Sequence, residues 1–145
     1  MKKIPTLGKY ILDKDHNVIP VHDLLEWAKW FEHERPKQRI GYSDLGEYCV
    51  STVFLGIDHS FEIGPPLLFE TMIFMKDNAY VKGEKNIFLD YQERYSTWNE
   101  AKEGHKRACE HVLQECEKNK VQQRNRNLET IQLQIKEGER PCDLA

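Results

Sequence analysis

No stretch of the sequence approaches the roughly 18 apolar residues that a membrane-spanning helix requires, so no membrane contact is expected. The opening MKKIPTLGKY carries two lysines with no apolar segment behind them, which argues against a secretory leader. The four cysteines, Cys49, Cys109, Cys116 and Cys142, form no CxxC pair. Without an export signal they are expected as reduced thiols in a cytosol, which speaks against a disulfide scaffold. Charge of one sign is also missing: 21 lysines and arginines stand against 24 acidic residues, a formal net charge of -3. That balance speaks against a general nucleic-acid binder. GxSxG, GxGxxG and the phosphate-loop pattern do not occur, so no motif points to a nucleophile elbow or a phosphate cradle. There is no internal repeat and no low-complexity tract.

Aromatic residues run out at Trp98: all fifteen Phe, Tyr and Trp lie at or before it, and the last 47 residues hold none. Aromatic side chains supply much of the buried area of a small core. The chain therefore reads as an aromatic-rich body, residues 1–98, and a polar helical extension, residues 99–145, which must borrow a core from the body or from another subunit. What is present has the balance of a globular protein, 39% hydrophobic and 31% charged, at the length of one ordinary domain.

Local patterns fill in the body. YILDKDHNVI, residues 10–19, reads as a hairpin or extended arm turning in Asp13-Lys14-Asp15-His16-Asn17. Leu24, Leu25, Trp27, Ala28 and Phe31 recur at helical spacing behind Asp23, and Pro36 is expected to end that helix. Strands are expected at Ile40 to Tyr42, from Tyr48 to Ile57, from Leu67 to Met75 and from Ile87 to Tyr91, joined as an antiparallel meander. Thr97-Trp98-Asn99-Glu100 fits a capping box that opens a long helix. Gly104 weakens its first turns by roughly 1 kcal/mol against alanine unless it permits close packing on the sheet. The polar run from Asn119 to Asn127 predicts a break or bend, or one long helix with two faces. The fold class is α+β: an antiparallel sheet of three to five strands packed by an N-terminal helix and a long C-terminal helix, with a helical extension.

Candidate sites are few. Asp58, His59 and Glu62 sit at the end of the longest strand and in the loop after it, and Glu70 lies on the next strand. Carboxylate and imidazole together can bind a divalent metal or move a proton. The plainer reading has Asp58 capping its loop through backbone amides, His59 as a satisfied loop residue, and Glu70 either facing solvent or paired with a lysine or arginine. Trp27 and Trp30 are not expected to face the centre of one core together. One belongs at a rim, where tryptophan mediates contacts, and Trp30 is the binding candidate. Gly64-Pro65-Pro66 lacks the amide donors of a phosphate loop and reads as a rigid turn. His105, Cys109, His111 and Cys116 lie along the long helix, where packing is the simpler reading than zinc. Lys118, Lys120, Arg124 and Arg126 read as a solvated face or a subunit contact. Val121, Leu128, Ile131 and Ile135 are spaced 7, 3 and 4, a two-repeat heptad seam suited to pairing helices. No metal site and no cofactor is implied.

The stretch STVFLGIDHSF at 51–61, GPPLLFETMIF at 64–74, LLEWAKWFE at 24–32 and YSTW at 95–98 occur in that order. Together they resemble a group of small, uncharacterised proteins encoded by bacteriophages and prophages, over about residues 10–112. The resemblance implies a viral product acting in the bacterial host cytosol and transfers no catalytic residue. The leading expectation is an accessory protein that acts by binding a host protein or a small nucleotide ligand, possible targets being components of host defence. The alternatives are a metal-dependent hydrolase or nuclease using Asp58, His59 and Glu70, and a structural or regulatory homo-oligomer.

Overall fold

The computed structural model describes residues 8–34, 38–83 and 85–138. The chain divides into two compact units, Met1–Glu110 and His111–Ala145. The first opens with the antiparallel hairpin of β1 (Lys9–Leu12) and β2 (Val18–Val21). Asp13 builds its turn: one carboxylate oxygen accepts from the backbone N–H of Asp15 and of Asn17, both at 2.8 Å. Pro20 falls inside β2, where an edge strand tolerates its missing N–H. Asp23 then caps α1 (Leu24–His33), accepting from the Leu25 N–H at 2.8 Å. Glu34 closes the helix through its N–H to the Trp30 carbonyl at 2.9 Å. Pro36, expected to stop it, lies outside the described residues.

A four-stranded antiparallel sheet follows in the order β3 (Arg39–Leu45), β4 (Tyr48–Phe54), β5 (Phe69–Met75) and β6 (Gln92–Tyr95). Gly46 turns the chain between β3 and β4 at φ +83°, a conformation open to glycine. Opposite residues share a face, and the register places Val50 against Ile73, Thr52 against Thr71 and Phe54 against Phe69. These six are all buried. The alternating β-branched and aromatic residues of β4 and β5 fit a pleat with one covered side. On the other side Tyr42 and Phe74 are about half exposed, at 51% and 45%.

Two expectations need correction. The fourth strand is Gln92–Tyr95, not Ile87 to Tyr91. Residues 87–90 are turn instead, because the Asn86 side chain takes the Phe88 N–H at 3.0 Å and the Phe88 carbonyl takes the Tyr91 N–H at 2.9 Å. Strand β4 ends at Phe54, since Gly56 adopts φ +70°, and Ile57 returns only as an isolated bridge to Lys9. The polar stretch after Met75 contains a short helix, α2 (Asp77–Val81).

The final helix, α3 (Trp98–Gly138), runs unbroken through the polar run from Asn119 to Asn127. Its start is the expected capping box with one variation. The Glu100 N–H donates to the Thr97 hydroxyl at 3.2 Å, while the Glu100 carboxylate accepts from the N–H of Ser96 at 3.0 Å. No helix among the described residues is long and apolar enough to cross a membrane.

The core of the first unit gathers Leu12, Phe54, Leu68, Phe69, Tyr95 and Ala101, with Trp30, Phe31 and Trp98 packed around it. Hairpin, α1, sheet and the first turns of α3 thus meet at one end of the sheet. The hairpin tip is fastened there too: the His16 ring stacks on Trp98 at 3.9 Å with the planes 7° apart. Gly56 is needed for the same packing, because a Cβ at that position would overlap the Phe31 ring.

Candidate functional site

Asp58 follows the bridge residue Ile57 and opens the loop that leads to β5. One of its carboxylate oxygens accepts the Ser60 N–H at 2.8 Å and the Leu67 N–H at 3.0 Å, so it fastens both ends of that loop. Burial pushes its carboxyl up, but these hydrogen bonds outweigh burial and hold it below the ordinary aspartate range. His59 joins the same closure through its backbone N–H to the Leu67 carbonyl at 3.1 Å. Glu62 stands exposed at the tip, between Phe61 and Ile63, which are fully exposed. Gly64 and Pro65 are exposed in the same loop.

Glu70 faces the opposite side of the sheet from the threonine pair. Its carboxylate accepts from Gln92 at 2.7 Å and from the Arg94 guanidinium at 2.9 Å. Asp58 and Glu70 are therefore each engaged in a different structural task. No group of three histidine, cysteine, aspartate or glutamate side chains able to hold a metal ion occurs among the described residues. Trp30 packs edge-on against Phe54 at 5.7 Å and Phe31 at 5.2 Å, half-buried at the rim of the core.

The best-connected polar constellation lies under α3 and centres on His105. Its Nε2 sits 2.9 Å from the Ser43 hydroxyl on β3, and its Nδ1 2.8 Å from the Thr52 hydroxyl on β4. Thr52 in turn bonds Thr71 on β5 at 2.6 Å. Four side chains from three strands and a helix make one relay, and both threonines are fully buried. Glycines make room for it. A Cβ at Gly41 would lie 2.9 Å from the imidazole ring, and one at Gly104 would overlap the Tyr95 ring and hydroxyl. The buried Tyr95 hydroxyl has no hydrogen-bond partner of good geometry among the described residues. Burial pushes its phenol up to about 12, with Thr71 and Glu93 close enough to act on it.

Burial also pushes the His105 imidazole below the ordinary histidine range, so the relay holds a neutral ring at neutral pH. A neutral imidazole donates from one nitrogen and accepts at the other, which suits a chain of hydroxyls that can each do both. Next to it, Glu93 is raised by burial, but hydrogen bonds from Arg107 at 2.9 Å and Tyr91 at 3.2 Å, with the Tyr95 hydroxyl nearby, outweigh that and leave it below its usual value. The arrangement ties helix to sheet. Chemically, it sets a serine hydroxyl beside an uncharged base.

The helix pattern named His105 as a candidate together with Cys109, but not with the groups it meets. The available signal was polar residues at core positions: Thr52 and Thr71 occupy inward places in apolar strands, and His105 shares the apolar stripe of Ala101 and Ala108. In the second unit, the seam residues Val121, Leu128, Ile131 and Ile135 are 47–56% exposed. The described residues of that unit outside its first two turns are exposed throughout. Comparison with family models, with curated proteins and with solved structures finds no match to this chain.

Proposed function

We propose that this protein works by recognition rather than by bond-making. It is read as a small accessory protein of bacteriophage type that acts in the bacterial host cytosol on a component of host defence, its copies joined through the helical arm. One observation carries the reading: the arm presents Val121, Leu128, Ile131 and Ile135 half-exposed at 7, 3 and 4 spacing, with Leu133 exposed off that seam, along a stretch of helix whose remaining residues are mostly polar. A helix with so little apolar surface gains stability by packing against another element. Burying each side chain fully contributes about 1.5–3 kcal/mol, so pairing two copies recovers a useful part of that four times per chain.

The alternative, a metal-dependent hydrolase using Asp58, His59 and Glu70, draws no support from the geometry. Both carboxylates are bound to groups of the fold. Sedimentation equilibrium of the full chain tests the proposal. The parent is expected to sediment as a dimer or larger, and the exposed double substitution L128E/I131E as a monomer with unchanged circular dichroism. A monomeric parent, or identical mass in the variant, refutes arm-mediated assembly.

A further inference from the structure

We infer that the groove between α1 and the β3–β4 edge binds a nucleoside phosphate whose base carries an exocyclic amine. The inference rests on the reading of the protein as a binder and names the ligand class. The groove is open to solvent and measures about 820 Å³, within the roughly 300–1,000 Å³ of small-ligand sites.

Its walls are aromatic. Trp27 and Phe31 stand 4.5 Å apart on α1, and Phe31 lies nearly parallel to Phe54 at 6.0 Å. The indole is held in place, since its N–H donates to the Gly56 carbonyl at 3.0 Å. A half-buried, tethered ring loses little side-chain freedom on binding. Every nucleobase has a π-face that stacks on such a ring.

The polar groups around this wall are specific in kind. Arg39 is exposed, its guanidinium lies over the Tyr42 ring at 5.2 Å, and it forms no ion pair among the described residues. A guanidinium held on an aromatic face keeps its edge donors for a phosphate. Gln38 gives its amide N–H to the Phe31 carbonyl at 2.7 Å, which leaves its carbonyl oxygen to accept. Glu32 on the same groove is exposed and accepts only. Two acceptors beside a stacking wall select an amino-substituted base, and the cation selects its phosphate.

Titration of the full-length protein with AMP, GMP, UMP and adenosine, followed by tryptophan fluorescence and calorimetry, tests the assignment. AMP or GMP is expected to quench with a Kd on the order of 10–100 µM, and adenosine and UMP to bind about tenfold or more weakly. R39A, with its melting temperature checked against the parent, is expected to lose about tenfold in AMP affinity. Silence of AMP and GMP in both readouts overturns the site. So does equal binding of AMP and adenosine, or an R39A affinity equal to the parent's. Any of these leaves self-association through the arm untouched, because sedimentation reads that separately.

Discussion

Gly104→Ala sets two physical effects against each other. By helix propensity alone, alanine at a helical glycine stabilises by about 1 kcal/mol. In this fold the added methyl enters space filled by the Tyr95 ring and hydroxyl, on the turn of α3 that carries His105. Tyr95 is buried, flanked by Phe69 across the ladder and part of the main core cluster. It has little room to retreat. Overpacking of a filled core destabilises by about 1–3 kcal/mol, and direct overlap with ring atoms belongs at the upper end. Set against the propensity gain, the net expectation is a loss of about 2 kcal/mol. For a domain of this size that is a fall in Tm of roughly 5–10 °C. Urea unfolding monitored by tryptophan fluorescence and circular dichroism measures it. The same substitution in a Tyr95→Leu background should show at least about 1 kcal/mol less loss, because the overlapping atoms are gone. A Gly104→Ala protein as stable as the parent, or more so, would mean that α3 does not sit this close to β6.

Two further outcomes test the relay and the loop. His105 is held below the pKa it has when unfolded, so the unfolded chain takes up the proton first. Stability is full above about pH 6.5 and declines as pH drops from there toward the folded-state value. Urea midpoints at about pH 7.5 and about pH 5.5 should differ in the parent and differ less in His105→Gln; equal parent and variant slopes refute the assignment. Asp58→Ala removes the acceptor for two backbone N–H groups and should destabilise by about 1–2 kcal/mol, with Asp58→Asn less harmful. The aspartate's share is present above its unfolded pKa of 3.8 and is lost as pH falls below it, since its folded pKa is depressed. No change in chemical unfolding of Asp58→Ala would remove it from the loop closure.

Much of the fold was legible because its elements follow short-range rules. The Asp13 turn, the Asp23 cap, the Thr97–Glu100 box and the alternation of β4 and β5 each depend on residues within a few positions. The β6 position was missed because the run from Ile87 to Tyr91, with its two aromatics, imitates a strand, while the contacts of the Asn86 side chain and the Phe88 carbonyl that bend it are not encoded in periodicity. The plainer readings of Asp58 and Glu70 match their observed partners, the Ser60 and Leu67 amides and Arg94. The His105 relay joins positions 43, 52, 71 and 105, separations that no local pattern spans. The same holds for the groove, where residues from α1 meet the β3–β4 edge.

Ladder by ladder, the four-stranded sheet links strands that follow one another along the chain. A growing polypeptide can thus zip each strand onto its predecessor as it leaves the ribosome, with little entropy spent on distant loop closure. The lid for this half-made sheet, α3, begins only at Trp98 and arrives last. During that interval one broad surface of β4 and β5 waits uncovered, and its two central threonines keep it partly wettable. A released chain truncated just short of Trp98 is therefore the species most apt to clump.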